Sequence, residues 1–238
     1  MERIIHRANG GAYPENTVEA LEEMVEADAD AIEIDVMLDA DGVPVLSHDH
    51  RLGRMTSSRK KVEELTVSEL KKLRIRSTDL KREGTFATLG EAIEIIRGKK
   101  RLYIELKGGS AKKSLSESVL NALNGTLSSE SFIISSFDEK LLQLVKAKRK
   151  GIKTAYIFSN PLSYFSINKI DQRNGGFEQW HCGKWMMRFN MAERANSEGK
   201  RLYPWLVNSE NEMRRCIGKG VEGIITDEIE LLNKVLSE

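Results

Sequence analysis

The stretch Ala31-Ile32-Glu33-Ile34-Asp35-Val36 alternates acidic with apolar residues. Side chains of a β-strand point alternately to its two faces, which puts Glu33 and Asp35 on one face and Ile32, Ile34 and Val36 on the other. Two carboxylates facing into a protein interior repel, and ionising both costs on the order of several kcal/mol unless positive charge lies between them. A hard divalent cation, Ca²⁺ or Mg²⁺, offsets that cost with oxygen ligands. Tyr103-Ile104-Glu105-Leu106-Lys107 has the same alternation, with Glu105 and Lys107 sharing a face. Taken alone, such a pair also reads as a surface ion pair of small energetic consequence. Joined to Glu33 and Asp35, Glu105 makes a three-carboxylate set for one dication, with Lys107 and Arg7 as basic neighbours.

Histidine is scarce, at four residues in the chain, and two of the four stand at strand ends beside charge: His6-Arg7 after Ile4-Ile5, and His48-Asp49 after Val45-Leu46-Ser47. Histidine is the usual general acid or base near neutral pH, and two of them divide the roles when one is neutral and the other protonated. Either could also be a structural strand-end residue, so the acid and base reading depends on the fold bringing them together. Asn9-Gly10-Gly11 offers backbone N–H groups to an anion or simply punctuates a loop.

Positioning these groups requires strands, and segments rich in Ile, Val and Tyr recur at 3–6, 31–37, 102–107, 132–135, 154–158, 202–207 and 223–226. Amphipathic stretches separate them, the pattern of repeated βα units around a parallel sheet. Several helix starts carry a small polar residue with Glu three positions on: Asn16 with Glu19, Thr66 with Glu69, Thr88 with Glu91, Ser209 with Glu212, and Asp227 with Glu230. Seven strands plus one more, expected at 176–181, make the count of a TIM (β/α)8 barrel, whose strand C-termini carry the active residues. Residues 43–47 follow an Asp-Ala-Asp-Gly turn and read as a hairpin return. Residues from about 50 to 87 read as a small, mainly helical insertion after the second strand, leaving one barrel domain over 1–238. An open doubly wound sheet is the competing arrangement, weakened because no Gly-x-Gly-x-x-Gly follows the first strand.

With 40% hydrophobic and 31% charged residues, the chain has material for a sizeable core. A net charge of +1 argues against general nucleic-acid affinity, and no apolar run approaches the roughly 18 residues that span a bilayer. The first residues lack the apolar stretch of a secretory signal, so a cytoplasmic protein without stable membrane insertion is expected. Cys182 and Cys216 fit no metal-ligand spacing and read as buried small hydrophobes. Trp180, Trp185, Met186 and Met187 read as core rather than as the rim of a pocket for a lipid or choline-like group.

His6-Arg7-Ala8, Pro14-Glu15-Asn16-Thr17, Glu33-Ile34-Asp35-Val36, Asp41-Gly42-Val43-Pro44-Val45 and His48-Asp49 follow one another at a specific spacing. With the later Glu105-Leu106-Lys107, Ser135-Ser136-Phe137-Asp138, Trp205-Leu206-Val207-Asn208 and Gly223-Ile224-Ile225-Thr226-Asp227, the chain resembles the glycerophosphodiester phosphodiesterase family nearly end to end. The resemblance implies a TIM barrel with a small insertion, a metal held by Glu33, Asp35 and Glu105, and His6 and His48 as acid and base. It also implies Arg7 and Lys107 at the phosphate and Trp205 against the glycerol or the site wall. The implied substrates are glycerophosphodiesters such as glycerophosphocholine and glycerophosphoethanolamine, cleaved to glycerol 3-phosphate and an alcohol. Two departures stand out: Ala8 replaces the usual Gly, and residues 160–188 do not follow the family pattern. Water or the substrate's own 2-hydroxyl is the nucleophile, and the residues do not choose between them. The competing readings are a lysophospholipase D-like enzyme acting on long-chain lysophospholipids and a non-catalytic barrel that binds a metal or phosphodiester.

Overall fold

The computed structural model describes residues 1–77, 82–108, 111–160, 162, 165–167, 169–170 and 176–238. Eight parallel strands form the sheet: β1 (Glu2–Ile5), β2 (Ala31–Leu38), β4 (Arg101–Leu106), β5 (Phe132–Ser136), β6 (Thr154–Phe158), β7 (Gln179–Gly183), β8 (Arg201–Trp205) and β9 (Gly223–Thr226). Their order is β8-β7-β6-β5-β4-β2-β1-β9, and β3 (Pro44–Leu46) returns antiparallel along β2 as the sequence predicts. The ring nearly closes between β8 and β9, where Glu222 N–H donates to the Leu202 carbonyl at 3.1 Å and Val207 N–H to the Ile225 carbonyl at 3.2 Å. The fold is TIM-like, with β3 and the inserted segment placed after β2.

Strand alternation divides the apolar residues between two cores. Ile32, Ile34 and Val36 face the surrounding helices, together with Leu102, Ile104, Phe132 and Ile134. Inside the barrel, Ile4, Ala31, Tyr103, Ile133, Ala155, Tyr203 and Ile225 pack in a second cluster. Small residues at 31 and 155 leave room for the two tyrosine rings. Full burial of an Ile or Leu is worth roughly 1.5–3 kcal/mol, so these two layers dominate what holds the strands in register. The inserted segment has a third cluster of its own, built on Met37, Val45, Leu52, Val62, Leu70 and Phe86.

The eighth strand lies at Gln179–Gly183, three residues beyond the expected start, because Phe177 is spent on the outer core before pairing with β6 begins. The regular elements of the inserted segment are helical, as expected, and short. Its described residues hold two 3-10 turns, Leu52–Arg54 and Val62–Glu64, and one short helix, Val67–Leu70. Thr66 with Glu69 and Thr88 with Glu91 form the expected reciprocal caps, each worth about 1 kcal/mol. The other three do not. Thr17 rather than Asn16 caps the helix Val18–Met24, Ser209 makes no side-chain cap bond, and Glu228 rather than Asp227 precedes the last helix. Trp180, Met186 and Met187 are buried, as are both free cysteines, in agreement with their reading as core.

Candidate active site

The carboxylates meet because β2 and β4 are neighbours in the sheet. Asp35 stands opposite Glu105 in the register and Glu33 opposite Tyr103, so the inward faces of the two strands align. Oxygens of Glu33, Asp35 and Glu105 lie within 4.8 Å of one another, and all three residues are buried. Lys107 Nζ donates to Glu105 Oε1 at 2.6 Å and lies 2.7 Å from Asp35 Oδ1; Arg7 Nε is 3.0 Å from Asp35 Oδ2. The Arg7 backbone N–H donates to Glu33 Oε2 at 3.1 Å. This places Arg7 and Lys107 at the carboxylates themselves.

Burial and the adjacent Asp35 and Glu105 raise Glu33 well above the ordinary carboxylate range. Burial likewise pushes Glu105 up to about 7, with Lys107 opposing and Asp35 adding to the rise. Asp35 goes the other way, to about 2, since Lys107 and Arg7 outweigh its burial. Burial and mutual repulsion thus oppose ionisation of Glu33 and Glu105 even with Lys107 and Arg7 beside the cluster. Asp35 Oδ1 is buried and receives no aligned hydrogen bond. A crowded, buried all-oxygen donor set of three carboxylates fits a hard divalent cation.

Both predicted histidines border the same pocket of about 100 Å³, together with Arg7, Glu33, Glu105, Lys107 and Trp205. His6 follows β1 on a 3-10 turn, His6–Ala8, in which Arg7 and Ala8 adopt φ of 54°. Ala8 thus occupies a left-handed conformation that glycine adopts without a steric penalty. Its buried methyl packs in the outer core, which offsets part of that cost. His6 Nδ1 donates to Asp227 Oδ1 at 2.8 Å, and His48 Nδ1 to Asp49 Oδ1 at 2.7 Å. Each carboxylate selects the tautomer whose Nε2 is the basic nitrogen. Burial, with the positive Lys107 and Arg7, holds His48 below the ordinary imidazole value, so it is neutral at pH 7. Trp205 forms part of the wall, edge-on to Phe137 at 5.6 Å, with its indole N–H directed to the His181 carbonyl at 3.3 Å.

Sequence reasoning missed the residues that hold these groups. Asn16, read as a helix cap, instead bonds Asp35, and Asp227, also read as a cap, is the partner of His6. Asn208 Nδ2 in turn donates to Asp227 Oδ2 at 2.7 Å. Arg54 bridges Asp49 and Glu15 from the inserted segment. Ser135, Phe137, Ile157, His181 and Ile225 complete the pocket lining, all from inward positions or strand ends. In the Asn9-Gly10-Gly11 loop, Gly10 takes φ of 109° where a Cβ would collide with the Asp227 carbonyl, and the following Ala12 N–H is taken by Glu23. That loop shapes the floor beneath Asp227.

The model of the glycerophosphoryl diester phosphodiesterase family matches residues 6–231. A glycerophosphodiester phosphodiesterase of Caldanaerobacter subterraneus is 32% identical over 247 aligned residues, covering 96% of this chain and 95% of that one. The crystal structure of a glycerophosphodiester phosphodiesterase from Thermotoga maritima superposes with a TM-score of 0.81 at 30% identity, over 99% of this chain and 98% of that one. An Oleispira antarctica phosphodiesterase, solved with the product sn-glycerol-3-phosphate, has the same fold at a TM-score of 0.87 and 24% identity, over 100% and 97% of the two chains. The chain belongs to the glycerophosphoryl diester phosphodiesterase family and is a phosphodiesterase.

Proposed function

We propose that the protein hydrolyses glycerophosphodiesters such as glycerophosphocholine and glycerophosphoethanolamine to glycerol 3-phosphate and the free alcohol, in a metal-dependent reaction with His6 and His48 as the acid and base pair. The observation that carries this reading is the single small pocket bordered by both carboxylate-steadied histidines, two acids of the carboxylate triad and two cations. The product complex of the Oleispira phosphodiesterase supports it, since that neighbour shares the fold.

Glu33, Asp35 and Glu105 would hold the cation, calcium or magnesium. What a bound dication supplies there is stabilisation of the negative charge that builds on phosphate oxygens. Arg7 and Lys107 orient the diester by charge. His48, neutral at pH 7, takes the proton from the attacking hydroxyl through Nε2. His6 gives a proton to the departing alkoxide, and Asp227 stabilises its protonated ring. Trp205 closes one wall against the glycerol.

The nucleophile is water or the substrate's 2-hydroxyl; an internal hydroxyl gains from proximity, with effective molarities of up to about 10⁸ M. Trapping of a cyclic glycerol phosphate in a single turnover identifies the internal route. The decisive assay is glycerol 3-phosphate release from glycerophosphocholine by chelator-stripped protein, with and without Ca²⁺ or Mg²⁺. Release that returns with one cation and falls by about 10²-fold or more in His48→Ala is expected. Equal release by the stripped protein, or by the variant, refutes the assignment.

A further inference from the structure

We propose that the catalytic mouth of the barrel docks peripherally on an anionic lipid surface. Seven large hydrophobic side chains are exposed among the described residues, and four of them, Phe137, Leu162, Phe165 and Phe189, lie in the segments that follow β5, β6 and β7. Leu162 is 70% exposed and Phe165 76%. The chain's other four phenylalanines, Phe86, Phe132, Phe158 and Phe177, are buried. Among the described residues, exposed phenylalanines are thus confined to one arc of the rim, at the end of the barrel where the histidines sit. The arc is continuous with the site, because Phe137 borders the catalytic pocket and packs against Trp205. An adjoining cleft of about 560 Å³ runs from His48 past Phe137 and Tyr156 to Ile170.

Charge along the arc indicates what covers it. The described residues of 108–113, 137–140, 159–170 and 184–190 include six Lys or Arg against two acids, Asp138 and Glu139, in a chain whose net charge is only +1. Lys112 and Lys184 are paired with Asp138 and Glu212. Lys140, Lys169 and Arg188 are exposed on the same segments as the phenylalanines, and Lys113 is exposed on the neighbouring segment that follows β4. Aromatic side chains interleaved with basic ones match the chemistry of a membrane interface, where rings enter the boundary between headgroup and acyl chain while Lys and Arg meet anionic headgroups. No helix of the described residues is long and apolar enough to cross a membrane, so the contact is with the surface.

The test is co-sedimentation of the full chain with vesicles of phosphatidylcholine alone and of phosphatidylcholine and phosphatidylglycerol in equal parts, for the wild type and for Leu162→Ser/Phe165→Ser/Phe189→Ser. The wild type is expected to bind the anionic vesicles and not the neutral ones, with binding weakened at ~0.5 M salt as the charges are screened. The triple variant is expected to bind at least ~10-fold more weakly, since its apolar anchors Leu162, Phe165 and Phe189 are removed. Its glycerophosphocholine turnover in vesicle-free solution stays at the wild-type level, which excludes misfolding as the cause. Vesicle binding is read without turnover, so its failure is separate from a failure of the hydrolase assignment. Absence of wild-type binding, or equal binding by the variant, overturns the proposal. So does sedimentation velocity showing a wild-type dimer that the variant abolishes, because the patch is then a contact between two copies.

Discussion

Asn16 and Asp35 exchange two hydrogen bonds: Asn16 Nδ2 donates to Asp35 Oδ2 at 2.8 Å, and the Asp35 backbone N–H donates to Asn16 Oδ1 at 3.2 Å. Both residues are buried, and Asn16 adopts φ of 57° to make the pair. The carboxylate is thereby aimed before any ligand arrives. Outer partners of this kind tune metal affinity by about 10–100-fold. Asn16→Ala should weaken Ca²⁺ or Mg²⁺ binding by that factor in a calorimetric titration, with the circular dichroism unchanged. An unaltered dissociation constant would show that Asp35 needs no such support.

Asp227 does for His6 what Asp49 does for His48. Burial would raise Asp227, yet the hydrogen bonds from His6 and Asn208 hold it below the ordinary range, so it is ionised when His6 is protonated. Asp227→Asn should cut kcat by about 10²-fold or more and leave KM for glycerophosphocholine near the wild-type value. A loss confined to KM would place Asp227 in binding instead.

Cation binding should also appear as stability. Ligand that binds only the folded chain adds about 2.7 kcal/mol at 100 times its dissociation constant. Thermal unfolding of chelator-stripped protein should therefore shift upward on adding the preferred cation. Glu105→Gln removes one of the repelling acids, so the stripped variant should melt no lower than the stripped wild type while losing most of the cation-induced shift. A full shift in the variant would exclude Glu105 from the cradle.

His181 sits fully buried under the pocket, its Nε2–H donating to Gln179 Oε1 at 2.9 Å. Burial, with a smaller contribution from Arg201, pushes its pKa down to about 3 from an ordinary value of 6.5. Between those values the unfolded chain binds a proton that the folded chain does not, so stability falls as pH drops through 6.5 toward 3. The slope for this one group approaches roughly 1.4 kcal/mol per pH unit. Urea denaturation at pH 7 and pH 5 should show a smaller acid-side loss for His181→Gln than for the wild type. Equal losses would mean that His181 accepts its proton in the folded protein.

The strand alternation at 31–36 and 103–107 was readable in sequence, and the inward and outward sides came out as expected: Ile32, Ile34 and Val36 in the helix-facing core, Glu33 and Asp35 in the carboxylate cluster. The period of a strand requires only neighbouring residues, which is why it survives without any tertiary information. Asn16 and Asp227 were misread for the same reason. A small polar residue followed three positions later by Glu is the pattern of a helix cap and equally of a strand-end side chain beside a helix, and only the partner across the barrel separates the two. The insertion was placed correctly after β2 and its regular elements are helical, but the bridge of its Arg54 to Glu15 and Asp49 could not be read from local sequence.

Local order thus determined which residues alternate, where strands and hairpin fall, which acids and histidines are available, and which family motifs are present. Tertiary structure decided what those residues touch. The adjacency of Asp35 and Glu105 follows from β4 pairing with β2 once β3 has turned away, and the bond of His6 to Asp227 from β1 lying beside β9 as the ring closes. Neither is encoded in nearby sequence, because sheet pairing joins strands whose order is set by packing of the whole chain. The depression of His48 and the elevation of Glu33 arise in the same way, from burial and from charges that only the closed barrel brings within reach.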